Sequence, residues 1–290
     1  MPAIRQFLQQ NRDLSLDELK GSSPVGYGTL RTGMFDALRQ IGGPEAQAAL
    51  GDTLRATADP AEIGLLGRHL EEMAPGQYRN DAVQAARETL AQVAEEKSRA
   101  EVAPLFQVLQ RYGDASVLAD IEKAVPQWQH YGLMAMAGMP EGQGVQALIE
   151  QTDRYGGTGG ARVFAVQMLA QVAPTSEDAR TKLVNLAETG QIPERAWSRI
   201  SEALSGDQYQ FIKDPNVDNA TLLKTPGTKT YHINGNNENF YSTPLPAGIT
   251  EEERSQRTAL IDQLLKTNPN AAAAEELQKA KARLTNKPAP

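Results

Sequence analysis

The stretch Met34-Phe35-Asp36-Ala37-Leu38-Arg39-Gln40-Ile41-Gly42-Gly43-Pro44-Glu45-Ala46-Gln47-Ala48-Ala49-Leu50 sets the pattern of the chain. It reads as a helix end, Ala37-Leu38-Arg39-Gln40-Ile41-Gly42, a proline-bearing turn, and a second helix rich in small residues. Outward from it, between about residues 28 and 205, apolar residues recur at helical spacing and glycine or proline breaks the pattern repeatedly. No alternation of the kind a strand needs persists there.

Asp59-Pro60-Ala61-Glu62 reads as an N-cap aspartate, a proline at the first helical position and an acidic third position, followed by Ile63, Leu66, Leu70 and Met73 on one face. Pro75-Gly76 ends that helix, and Val83, Ala86, Leu90 and Val93 mark the next, so the two are expected to pack antiparallel. Pro104 and Asp114 open two more, and Pro126 is expected to start a helix through Trp128 and Tyr131. Val145 with Leu148 marks another helix and Val163 with Leu169 the one after it. Thr175 with Asp178 reads as an acidic capping box, and Pro193 opens a helix carrying Trp197 and Ile200. Breaks between first and second helices, at Gly43, Gly76, Gly113, Met139 and Pro174, lie 33, 37, 26 and 35 residues apart.

A recurring two-helix unit of this size is the mark of an α-solenoid, in which each pair buries its faces against its neighbours. The 34–50 stretch resembles a HEAT-type repeat in its short bacterial form, with partial likeness over 66–90, 105–121 and 133–149. The resemblance implies an all-α fold, an α-α superhelix of about five helix pairs over 23–205, and a surface for protein contact. A compact helical bundle is the alternative.

Residues 1–22 are expected to form a helical cap, with Ser15-Leu16-Asp17-Glu18 as a capping box. Over 206–249 the pattern fails, because Asp214-Pro215, Thr225-Pro226-Gly227, Thr243-Pro244 and Leu245-Pro246 forbid long helices. Asn234-Gly235 there is a two-residue turn pair flanked by Thr230–Ile233 and Asn236–Tyr241, so strand is expected only within 228–242. The segment's Tyr209, Phe211, Ile212, Leu222 and Leu223 are too apolar for a free linker, and it is expected to lie ordered along the helices. Residues 250–290 read as a helical hairpin, with Thr250 and Asn268-Pro269 as its helix starts, resembling half of a tetratricopeptide-type unit and expected to be brought back onto the array or onto a partner chain.

The 290 residues carry 29 basic and 36 acidic side chains, a net charge of −7, with 40 % hydrophobic and 6 % aromatic residues and a mean hydropathy of −0.47. The acidic excess belongs to 23–205, with 23 acidic and 16 basic side chains. With no basic cluster, nucleic acid is not an expected partner. No run approaches the roughly 18 apolar residues of a membrane span. There is no cysteine, and three histidines remain as soft metal ligands, so neither a metal nor a cofactor is expected. Met1-Pro2-Ala3-Ile4-Arg5 lacks a signal-peptide pattern, yet a cysteine-free chain is compatible with export. The expectation leans to the exported, periplasmic side, with the cytoplasm as the alternative.

Catalytic motifs are missing: no nucleophile elbow, no His-Glu-x-x-His and no dinucleotide fingerprint. Four places carry binding chemistry instead. Trp128 and His130 concentrate aromatic surface at a helix start. Tyr155 leads the loop Gly156-Gly157-Thr158-Gly159-Gly160, whose N–H groups could meet an anion, although it lacks the preceding strand and the Lys-Ser/Thr of a P-loop. Tyr231, His232 and Tyr241 are expected to meet if the 228–242 hairpin forms. His69-x-x-Glu72 places two ligand types on one helical face, too few for a metal. The functional expectation is a non-enzymatic scaffold that binds a protein or peptide partner; the rival is an enzyme or small-molecule binder with a pocket beneath 206–249.

Overall fold

The computed structural model describes residues 2–10, 13–15, 29–96, 100–210, 229–233, 238–244 and 249–285. Among the described residues, fourteen α-helices and three short strands give an all-α fold with a small appended sheet. The chain divides into two compact units, Met1–Gly113 and Asp114–Pro290. This boundary falls inside the 23–205 stretch that the sequence reads as one array.

The first unit holds α1 (Pro2–Gln9), α2 (Leu30–Ile41), α3 (Gly43–Ala56), α4 (Pro60–Met73), α5 (Arg79–Glu96) and α6 (Ala103–Tyr112). Asp59 caps α4 by accepting from the N–H groups of Ala61 and Glu62, and Pro60 occupies the first turn, as the sequence pattern requires. Gly42 and Gly43 both have positive φ, 70° and 80°, which lets α2 turn into α3 with one residue between them. Leu66, Leu70, Leu90 and Val93 are buried, together with Phe35, Leu38, Leu50 and Leu54, so the helical stripes do form the core. Helices α2 and α3 pack as one pair and α4 and α5 as the next; α2 also packs on α4, α4 on α6, α1 on α3 and α3 on α5. The unit is therefore two parallel rows, α2-α4-α6 and α1-α3-α5.

The second unit holds α7 (Leu118–Ala124), α8 (Gln129–Gly138), α9 (Val145–Arg154), α10 (Gly160–Val172), α11 (Glu177–Glu188) and α12 (Trp197–Ser205). Strands β1 (Asp207–Gln210), β2 (Lys229–Ile233) and β3 (Glu238–Pro244) follow, then α13 (Glu251–Lys266) and α14 (Ala271–Thr285). The row pattern repeats: α8 packs on α10, α10 on α12 and α12 on α14, while α9 packs on α11 and α11 on α13. One core runs through these elements, from Val166 and Leu169 through Leu183, Trp197 and Ile200 to Ile261, Leu264 and Leu277. Helices α8 and α9 approach so closely that a Cβ on Gly144 would lie 2.1 Å from the Met136 carbonyl oxygen, and only glycine fits there.

Several sequence expectations are corrected. Of the two places expected for the 250–290 hairpin, the described residues give the first: α13 and α14 extend the two rows of the second unit. Strand is not confined to 228–242: β3 runs to Pro244, and β1 pairs with it antiparallel, Tyr209 opposite Ser242 and Gln210 opposite Tyr241, in a sheet of order β1-β3-β2. Pro126 does not start a helix, because Val125 to Trp128 form a turn before α8. The cap of α11 is Ser176, whose hydroxyl accepts from Ala179, one residue beyond the expected Thr175. Asn268 sits at φ 54° after α13, and Asn270 is the residue that caps α14 by accepting from the N–H of Ala273. The predicted Ser15–Glu18 box and the Asn234-Gly235 turn lie outside the described residues, Ser15 itself forming an isolated bridge with Thr29.

Candidate functional site

In the second unit, α8, α10, α12 and β1 build an aromatic junction. His130, on the first turn of α8, sets its ring against Phe164 at a tilt of 53° with centroids 4.5 Å apart, and Phe164 meets the Tyr209 ring edge-on at 5.9 Å and 90°. The Tyr209 N–H donates to Gln171 Oε1 at 2.7 Å while Gln171 Nε2 donates to the Tyr209 carbonyl at 3.1 Å. Arg199 donates to the Tyr209 hydroxyl at 3.1 Å and pairs with Glu202 at 3.2 Å. With 3 % exposure, Tyr209 fixes the start of the 206–249 segment to the α8-α10-α12 row. Phe211, Ile212, Leu222 and Leu223 lie outside the described residues.

The structure separates the other candidates. Trp128 is 2 % exposed and serves the core of its unit, which corrects its reading as a binding aromatic. Tyr155 is half-buried where α9 ends, and burial pushes its phenol above its ordinary value. The β2–β3 pairing sets Thr230 opposite Tyr241, Tyr231 opposite Phe240 and His232 opposite Asn239.

A cleft of about 190 Å³ opens in the first unit between α1, α2 and α3, lined by Arg5, Leu8, Arg31, Asp52, Thr53 and Thr57 among others. Its floor is a buried ion pair that the sequence did not reveal. Arg31, 3 % exposed, donates from Nε and Nη2 to the two carboxylate oxygens of Glu62 at 2.5 and 2.9 Å, and from Nη1 to the Leu8 carbonyl at 3.1 Å. Thr57 adds a third bond to Glu62 at 2.6 Å, and the guanidinium also lies 5.5 Å over the Phe35 ring. The hydrogen bonds and charge of Glu62 hold Arg31 above its usual basicity, against its desolvation.

Elsewhere, surface charges cross between neighbouring helices of the first unit. Arg5, Asp52, Arg55 and Asp81 link α1, α3 and α5, and Arg39 joins Asp36 to Glu72 between α2 and α4. His69 is 1 % exposed in the core, so His69 and Glu72 do not share an accessible face. Among the described residues no group of three His, Cys, Asp or Glu side chains is placed to hold a metal ion, and no helix is long and apolar enough to cross a membrane. No family model, curated protein or solved structure matches the chain.

Proposed function

We propose that this chain is a non-enzymatic, HEAT-like scaffold whose stacked helix pairs bind a protein or peptide partner. The observation that carries this reading is the row pattern: first helices pack on first helices and second on second within each unit, the contact scheme of a solenoid. Stacking of this kind extends one helical surface across many pairs, and side chains at its edge supply recognition with no catalytic machinery. In the second unit the sheet rests against α8 and α12, so part of the α8-α10-α12 row is already covered. The α9-α11-α13 row is the surface left for a partner.

Affinity capture from native extract, with hydrogen exchange on the recovered complex, tests the proposal. A partner held at fixed stoichiometry with protection concentrated on α9, α11 and α13 supports it. A bound metabolite without a partner would favour the rival small-molecule reading.

A further inference from the structure

We propose that the cleft between α1 and α3 binds a free α-amino acid with an aliphatic side chain. Two helical faces make its walls. Arg5 and Leu8 stand three residues apart on α1, and Ala49, Asp52, Thr53 and Ala56 recur at helical spacing on α3, so each set shares one face. Alanine at 49 and 56 leaves open the space that a larger side chain would fill. At about 190 Å³ the cleft exceeds the roughly 150 Å³ that accommodates a benzene-sized guest. Leu8 and Ala49 are buried and give it an apolar wall, and the buried Arg31 guanidinium gives it a charged floor.

The charges decide the kind of ligand. Arg5 and Asp52 pair at the rim with side chains 43 and 61 % exposed, and their 3.4 Å contact is looser than the 3.1 Å bond by which Arg55 holds the same carboxylate. Among the described residues Arg5 spends one of its guanidinium N–H donors, on Asp52. Arg31 spends two on Glu62 and one on the Leu8 carbonyl, so it too has donors left. A simple anion gains little here, because the charges of Glu62, Asp13 and Asp59 already act on Arg31. A simple cation meets two guanidinium groups. A molecule with a carboxylate and an ammonium on one carbon answers both. Its carboxylate accepts from Arg5 and Arg31, while its ammonium donates to Asp52 and to carbonyl oxygens that the last turn of α3 leaves without helical donors. That turn, at Ala56 and Thr57, also lines the cleft, and it is the negative end of its helix. The aliphatic side chain then lies against Leu8 and Ala49, removing apolar surface from water. Occupancy of the cleft neither needs nor excludes the protein partner proposed above.

Isothermal titration calorimetry of the full chain with L-alanine, L-valine and L-leucine is the test. Each is compared with its singly charged counterparts, from propionate and ethylamine for alanine to 4-methylpentanoate and 3-methylbutylamine for leucine. At least one amino acid should bind saturably, and its two counterparts should bind about tenfold more weakly or worse, each having lost the hydrogen bonds of one charged group. Arg5→Gln removes one rim charge at a half-exposed position and leaves Asp52 with Arg55, and it should weaken binding by about the same factor. Ala56→Leu, at an exposed position on the last turn of α3, puts a side chain into the cleft while keeping a good helix former, and it should abolish binding. Both variants should unfold at the wild-type urea midpoint, which separates loss of the ligand from loss of the fold. No saturable binding of any of the three amino acids, a singly charged counterpart that binds as tightly as its amino acid, or undiminished binding in either variant overturns the proposal.

Discussion

Replacing Arg31 by methionine keeps most of the side-chain volume and removes the charge, leaving Glu62, at 8 % exposure, with Thr57 as its remaining side-chain partner. Two bonds to the carboxylate, at 2.5 and 2.9 Å, and one to the Leu8 carbonyl are lost together. Breaking a buried pair from one side costs about 3–5 kcal/mol, because the carboxylate stays desolvated and uncompensated. With a urea slope of about 2 kcal/mol per molar, the transition should move down by about 2 M. Replacing both partners, as Arg31→Met with Glu62→Leu, removes the stranded charge and should recover most of the loss. Urea unfolding followed by circular dichroism measures the global effect. Hydrogen exchange over α2 and α4 localises it, and α1 should exchange faster in both variants because its Leu8 carbonyl has lost its donor. If the single variant unfolds within about 0.5 M of wild type, or if the double variant is as damaged as the single, the buried pair does not hold α1, α2 and α4 together.

Gly144→Ala would place a methyl 2.1 Å from a backbone oxygen, so it should destabilise the second unit by about 3 kcal/mol, read from the fluorescence transition of Trp128 and Trp197. Glu141 sits at φ 55°, ψ 19° in the short connection before α9, and Glu141→Gly should stabilise by about 1 kcal/mol by relieving a left-handed backbone, visible as a higher melting temperature. The hydrogen bond from Arg79 and then that from the Gly76 N–H hold the Glu71 carboxyl below its ordinary value. Its contribution to stability is therefore present above about pH 4.5 and lost as pH falls through the lower folded value. Arg79→Gln should flatten that part of the acid limb in a pH series of urea midpoints by lowering the neutral-pH plateau slightly, while the midpoints at the acid end stay as in the wild type.

Local signals were legible where the chemistry is local. The stop and start at Gly42-Gly43-Pro44, the Asp59 cap and the Leu66, Leu70, Leu90 and Val93 stripe needed only neighbours along the chain, and each stands where the pattern puts it. Caps failed by one or two residues where two candidates stood close together, as with Thr175 against Ser176 and Asn268 against Asn270, because the choice rests on where the helix is packed rather than on side-chain type. The candidate sites were harder to read. Trp128 drew attention by its residue type, yet type alone does not distinguish a core aromatic from an exposed one. Arg31 drew none, since an arginine reads as solvated until its burial is known.

By itself the sequence determined that the chain is helical, where most helices begin and end, and that 206–249 breaks the pattern, since helix period, caps and prolines act over a few residues. Only the tertiary structure decided that α13 and α14 rejoin the rows begun by α8 and α9, that β1 pairs with β3 across the interruption, and that Arg31 finds Glu62. These depend on which apolar faces and which opposite charges meet across 30 or more residues, a choice made by packing the whole core together, which no local spacing encodes.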